Sequence, residues 1–507
     1  MKLKYLYFGA LLVLAGTGCK KEFLDVNTNP NALPTATPAY VISNALNTSA
    51  NNMLAPNETG MYWSGHWTQS NGYILSTTLF KYEFTNGDFN YWDNTYDNLN
   101  DYQFVLNNAD EYKQAYLKGP AKVMMAYNFQ KLVDLYGNIP YTEALQGVKA
   151  LAPKFDDQKT VYEGLITLLD GAITDLKANA FASAYASSDI MFRGNTTNWI
   201  KFANSLKLRI LMHQSRVSGR GAYITAEINK IVSEGTGFLT GVDAGINPGY
   251  VAAAGQINPI YNTWGYNENG ARIATNNFPR ITDFVVKQLQ ATADTFRLKR
   301  FVYAPGNENG ANPGVSNNPE IAANYIGVIF GASSGYLPGA TCAIGPCLII
   351  KGKFNNPFIM MTAAEIQFCL AEAKERYGSA VNLPGTAKSY FDEGVKQSFR
   401  TLGADVNKAA QLTSNGKQDC DYEASTNKLN AIAYQKWLAV AYHTGLEAWT
   451  EYRKNGYPNT PQSRNVIGTE RPVRLYYPGT ELGSNGANVN AQGTINIFNS
   501  RIFWDIE

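Results

Sequence analysis

The chain has little charge and almost no asymmetry in it. Charged residues make up 17% of the 507, with 43 Lys and Arg against 41 Asp and Glu. Without a basic excess, the composition offers no counterion-releasing surface for nucleic acid and no general pull toward an anionic membrane face. Histidine is scarce: His66, His213 and His443 are the only three, and none stands in HExxH or a comparable ligand spacing. The five cysteines contain no CxxC pair, which argues against a structural zinc site. Beyond the N-terminus, no apolar run approaches the roughly 20 residues that a spanning helix needs.

Aromatic residues are abundant instead: 32 Tyr, 24 Phe and 8 Trp, among 44 Gly and many Asn, Ser and Thr. Rings stack on sugar C–H faces and amides meet hydroxyls, so these materials suit a neutral polar ligand. Large extracytoplasmic proteins with Tyr/Asn/Gly-rich loops share the same composition. The N-terminus, MKLKYLYFGALLVLAGTGCKKEF, pairs Lys2 and Lys4 with an apolar run from Tyr5 to Ala15 and small residues before Cys19. That pattern reads as a signal peptide over 1–18, with Cys19 as the acylated residue of a lipoprotein. Gly16 departs from the pattern, since an aliphatic residue is usual there. Each buried acyl CH₂ contributes about 0.8 kcal/mol, so two or three chains anchor a protein essentially permanently. Residues 19–37, polar and rich in Asn and Pro, read as a tether.

Helical periodicity dominates two blocks, 38–234 and 361–507. In the first, a helix begins near Pro38, another runs from Pro120 to Tyr136 and stops at Gly137, and Thr160 to Glu163 reads as a capping box. In the second, Thr362 to Glu365 reads as another box, with its helix ending near Gly378, and one long helix is expected over Asn427–Arg453. Between the blocks, 235–360 is dense in Gly, Asn, Pro and Tyr, interrupted by one amphipathic helix through Ile281, Phe284, Val285 and Leu289. Loops this long inside a folded protein are usually functional. The expected fold is mainly α: a tetratricopeptide-like helical-repeat scaffold carrying a loop-rich, irregular ligand-binding insertion, with no clean 34-residue consensus.

Chemistry-bearing motifs are weak. Gly331 to Gly335 (GASSG) matches a nucleophile elbow, but the following YLPG cannot open the helix that exposes Ser333. Asp25, Asn27 and Asn29 resemble the start of a calcium loop, with Pro30 where the turn Gly belongs. The Asp93/Asp97/Asp101 series reads as a solvated helix face. Cys342 and Cys347 flank Ala-Ile-Gly-Pro, a turn that could close a local disulfide in an oxidising compartment; Cys369 reads as a buried hydrophobe, and Cys420 is unassigned. No catalytic residue, metal or cofactor is expected.

Several segments, in order, carry a family likeness: CKKEFLDVNTNPN from Cys19, Trp92 with Tyr96, LYGNIPY from Leu135, and WIKFANSLKLR from Trp199. MTAAE from Met361, AEA from Ala371, QKW from Gln435, GLEAW from Gly445, Arg453 and RLYYP from Arg474 continue it. Together these resemble the SusD/RagB-type nutrient-binding outer-membrane lipoproteins of Bacteroidetes, in the SusD-like branch. The resemblance implies a lipid-anchored protein on the outer face of the outer membrane, partnered by a SusC-like TonB-dependent transporter and carrying oligosaccharide or, in some members, peptide. It implies binding, not catalysis. A surface hydrolase using Ser333 or an acid pair, and a helical adaptor that recruits only proteins, are the readings from other classes.

The family's binding residues vary between members, so site expectations rest on local chemistry. GMYWSGHWTQSNGY (60–73) reads as a core helix from Met61 to Gln69 running into a rim, where Trp67, Asn71 and Tyr73 are the candidate ligand contacts. In the insertion the candidates are Trp264 and Tyr266, in a Gly/Asn loop, with the amides Asn262 and Asn267.

Overall fold

Asp157 Oδ1 accepts the backbone N–H groups of Lys159 and Thr160 at 3.0 and 3.1 Å, so the helix that follows starts at Gln158, ahead of the box expected at Thr160. Its buried stripe, Val161, Leu165, Leu169, Ala172 and Leu176, has helical spacing and faces the core. A computed structural model describes residues 36–181, 183–306 and 318–506. The signal peptide, Cys19, most of the 19–37 tether and the Asp25/Asn27/Asn29 motif lie outside the described residues.

The helices longer than two turns are α1 (Pro38–Trp63), α2 (Asp93–Asn108), α3 (Lys118–Tyr136), α4 (Gln158–Ala178), α5 (Thr196–His213), α6 (Gly221–Glu234), α7 (Asp283–Ala291), α8 (Ala363–Tyr377), α9 (Ala387–Leu402), α10 (Lys428–Val440) and α11 (Gly445–Asn455). From α1 to α5 each helix packs on its sequence neighbour, and α8 packs on α9 and α10 while α10 packs on α11. The two runs join where α11 lies on α1 and α8 on α5. The protein is therefore mainly helical, as expected. At the α1–α11 crossing the backbones touch. A Cβ on Gly60 would stand 2.1 Å from the Gly445 carbonyl oxygen, and one on Gly445 would stand 2.1 Å from that of Asn57.

Several charged residues in or beside the family-like motifs pair across these helices. Arg209 on α5 makes a two-pronged pair with Glu365 on α8, at 2.5 and 2.6 Å. Lys436 on α10 meets Glu451 on α11 at 2.7 Å, and Lys454 on α11 meets Glu372 on α8 at 2.6 Å. His213 Nε2 lies 2.9 Å from Glu447 Oε1. All of these side chains are buried. Charges taken out of water persist only when paired with good geometry, so the motifs encode the joints of the scaffold.

Segment 235–360 holds most of the strand structure, in three two-stranded antiparallel ribbons, of which one reaches back to the first helical block, within one contact unit running from Pro38 onward. Strand β2 (Ala244–Ile246) pairs with β6 (Phe358–Met361), bringing the two ends of the segment together. Strand β4 (Val302–Tyr303) pairs with β5 (Ala343–Ile344), and β1 (Trp67–Gln69) pairs with β3 (Pro279–Ile281). The amphipathic helix expected near 281–289 is α7, capped by Thr282.

Three local expectations need correction. The single helix over 427–453 is two, because Tyr442 takes φ 70° and stacks flat on Phe301 at 4.6 Å between ring centroids. The helix through Met61–Gln69 ends at Trp63: Gly65 turns the chain at φ 81°, and 67–69 is strand. Cys342 and Cys347 are not joined. The turn between them is used by β5, and Cys342 Sγ instead accepts the Ile326 N–H at 3.2 Å, while the Cys347 N–H donates to the Arg300 carbonyl.

Candidate functional site

Beyond the Gly65 turn, β1 runs in register with β3, Trp67 opposite Ile281 and Gln69 opposite Pro279. Thr282, just past β3, donates its N–H to the His66 carbonyl and its hydroxyl to that of Gly65, at 2.9 and 2.6 Å. The ribbon thus fixes the loop after β1 against the loop before β3. Ser70 N–H donates to the Phe278 carbonyl, Asn71 N–H to that of Tyr336, and the Tyr73 hydroxyl to that of Ala274, at 2.9–3.0 Å. Tyr73 also meets Phe278 edge to face.

The 262–267 group arrives at the same place. Asn258 caps the short helix Pro259–Trp264, accepting from the Ile260 and Tyr261 N–H groups, and the Asn276 amide donates to the Trp264 carbonyl. The two segments singled out independently in the sequence therefore converge. Trp67 and Trp264 are in ring contact, and Trp67 also contacts Tyr62 and Tyr442.

Convergence also divides the seven candidates. Trp67 and Trp264 are 2% and 5% exposed, and Tyr266 is buried beside Tyr261 with the Lys351 ammonium 5.5 Å from its ring. Trp264 lies on a helix packed against a ring cluster, which corrects its assignment to an unpacked loop. These three rings offer no open face in this conformation. Asn262 is exposed, and Asn71, Tyr73 and Asn267 are half-buried. Asn267 Oδ1 is occupied by the Asn269 and Ala271 N–H groups, so its role here is to shape the turn. Asn71 Oδ1 has no protein donor.

Sequence reasoning missed three rim residues: Ile74, 95% exposed, Leu337, 65% exposed, and half-buried Tyr336. Tyr336 sits between Gly335 and Pro338 in a Gly/Ser loop, the same kind of setting that drew attention to Trp264.

Titratable groups beneath the rim are tuned by burial. Desolvation lowers the His66 pKa to about 3 and that of His443 to about 4, and raises the Glu58 carboxyl to about 7. Glu58 and His443 border a cavity of only about 10 Å³ beneath Trp67 and Trp264, room for no more than a water molecule. Ser333 is exposed on a loop with no helix opening behind it, and among the described residues no hydrogen bond links it to a histidine or an acid. The arrangement is suited to holding a ligand against an exposed rim.

Residues 30–478 match the SusD-like family model described as starch-binding associating with outer membrane. No curated protein matches the chain. Among solved structures, a SusD homologue from Bacteroides fragilis is similar at 23% identity and TM-score 0.73, over 93% of this chain and 100% of that one. A protein described as a chitin-binding SusD homologue from Flavobacterium johnsoniae is similar at 21% identity and TM-score 0.70, over 92% and 99%. A Bacteroidetes AC2a SusD-like protein is similar at 21% identity and TM-score 0.75, over 93% and 100%.

Proposed function

The chain belongs to the SusD-like family of outer-membrane nutrient-binding proteins, and from this we propose that it holds an oligosaccharide at the Tyr73 rim and delivers it to a SusC-like TonB-dependent transporter. The observation that carries the proposal is the bonding of the 70–73 segment to the 274–278 loop and to Tyr336, which builds one rim from three distant segments. Half-exposed Tyr73 supplies a ring for a sugar face, and exposed Asn262 supplies an amide for hydroxyls. The buried tryptophans beneath make the rim stiff, so less ordering entropy is lost on binding. Cys19 is the proposed lipid attachment, which would leave the protein anchored to the outer membrane and facing outward.

Family membership supports binding over catalysis, and the setting of Ser333 supports it further. The test is calorimetric titration of the purified chain with neutral oligosaccharides. Chito-oligosaccharides belong in the panel because one structural relative is described as chitin-binding. Saturable binding that weakens in Tyr73→Ala supports the proposal. Binding of peptides with none of oligosaccharides would move the cargo to the peptide class. Co-purification of a one-to-one complex with a transporter barrel tests the delivery step.

A further inference from the structure

A cleft of about 1030 Å³ opens where α11 ends and the chain turns through 456–473. Its wall carries four guanidinium groups, those of Arg216, Arg453, Arg471 and Arg501, with Glu470 as the lining carboxylate. Arg501 is paired with Asp505 at 2.9 Å. The other three are held differently. Arg216 donates to the Lys454 carbonyl, and Arg471 to the Thr460 hydroxyl at 2.7 Å and to the Thr460 carbonyl. Arg453 donates to the carbonyls of Asp134 and Val473, both at 2.8 Å, with its guanidinium 3.8 Å from the Trp449 ring and 4.8 Å from that of Trp504. Among the described residues, none of these three has an ion-pair partner.

That differs from the salt-bridged joints of the scaffold, while Arg300 and Arg474 elsewhere are likewise held by backbone carbonyls. Arg209, Lys436 and Lys454, equally central to the scaffold, all meet carboxylates. A guanidinium fixed by neutral carbonyls is correctly positioned but keeps its whole charge. The Asp505 and Asp134 carboxylates offset part of the Arg453 charge at longer range, so Arg216 and Arg471, set against Glu470 as the lining carboxylate, are what make the cleft wall positive. Burial lowers the Arg453 pKa to about 10, which still leaves it cationic at neutral pH. The remaining wall is neutral and suited to hydroxyls, with the amides of Asn459 and Asn499. Tyr452 lies 5.1 Å beneath the Arg471 guanidinium. The volume is at the upper end of the usual range for ligand pockets.

We propose that this cleft is a second saccharide subsite, which takes an oligosaccharide bearing a carboxylate or sulfate and binds that anion through Arg471 and Arg216. Guanidinium forks match carboxylate and sulfate oxygens through paired, charge-assisted hydrogen bonds, and a neutral sugar lacks that charge. The inference rests on the reading of the chain as an oligosaccharide-binding protein, and it assigns acidic glycans to a place apart from the Tyr73 rim.

The test is calorimetric titration of the full chain with tetragalacturonate, a sulfated galactan tetrasaccharide, neutral maltotetraose, tetraglutamate and inorganic sulfate. Tetragalacturonate and the sulfated sugar distinguish the two anion sources. Arg471→Gln and Arg216→Gln, each checked by circular dichroism for an unchanged fold, are expected to weaken the acidic saccharide about tenfold or more, equivalent to at least about 1.4 kcal/mol. Its affinity should also fall with added salt. Neutral-sugar binding should be unmoved by either variant and reduced by Tyr73→Ala. Acidic saccharides that fail to bind, or that bind both arginine variants as well as the parent, overturn the subsite while leaving the rim proposal intact. Tetraglutamate or free sulfate binding as tightly as the acidic saccharide also overturns it, in favour of a peptide or a simple anion. Acidic-sugar binding that survives Tyr73→Ala, with no neutral sugar bound, supports the cleft and fails the rim.

Discussion

Trp67 and Trp264 meet edge to face, with ring centroids 5.2 Å apart and planes at 85°. One leads out of α1 through β1 and the other ends a short helix of the insertion, so this contact helps hold insertion and scaffold together. Removing either ring should open a cavity and cost about 3–5 kcal/mol of stability. The two losses should not add. In a double-mutant cycle of Trp67→Ala and Trp264→Ala, denaturant unfolding should report a coupling of about 1 kcal/mol. Additive losses would mean that the ring contact carries no energy of its own.

Tyr73 should behave in the opposite way. It is half-buried, and its hydroxyl donates to the Ala274 carbonyl. Tyr73→Ala should lower saccharide affinity about tenfold, in line with the loss of a single aromatic anchor, while the unfolding midpoint moves little. Tyr73→Phe keeps the ring and should retain most of the affinity. If Tyr73→Phe is as damaging as Tyr73→Ala, the hydroxyl rather than the ring is what the site needs.

The scaffold depends on buried charge. Glu365→Gln removes the two-pronged partner of the Arg209 guanidinium and leaves it only the Glu447 carboxylate at 3.7 Å, and breaking such a buried pair typically costs about 3–5 kcal/mol. Replacing both residues, as in Arg209→Met with Glu365→Leu, should recover much of that loss, because no unpaired charge remains. Equilibrium unfolding of the single and double variants checks this. A double variant no more stable than Glu365→Gln would show that the pair contributes through more than cancellation of its own charge.

The helical scaffold was legible because its signals are local. Thr362 caps α8 as the box predicts, Gly137 and Gly378 close α3 and α8, and the apolar stripe of α4 is the buried one. The site was legible only in part. The stretch 60–73 and the group around 262–267 stood out by composition and do converge. Which of their rings face inward depends on the β1–β3 register, a pairing between segments that no short-range pattern encodes. The helix expected through Met61–Gln69 failed for a related reason. Its i, i+4 aromatic spacing was genuine, but Gly65 packs at φ 81° against Thr460, where a Cβ would stand 2.9 Å from the Thr460 side chain. The arginine cleft gave no sequence signal, because its arginines come from four separate segments of a chain with balanced charge.

His66 ties the fold to pH. Its ring lies 3.9 Å from that of Trp437, Nδ1 is 2.9 Å from the Ser64 hydroxyl, and Nε2 has no protein partner. Burial lowers its pKa from 6.5 to about 3, so the folded chain holds it neutral while the unfolded chain protonates it near pH 6.5. The stability gained from keeping it neutral is therefore full above pH 6.5. It is lost as the pH falls toward 3, at up to about 1.4 kcal/mol per pH unit. His443, lowered to about 4, adds a loss of the same sign over the upper part of that window. His66→Phe keeps an aromatic ring against Trp437 and removes the titration. Its unfolding free energy should fall less steeply than the parent's between pH 6.5 and 4, where the parent carries the full penalty. Equal slopes in parent and variant would show that His66 does not set the acid limit of the fold.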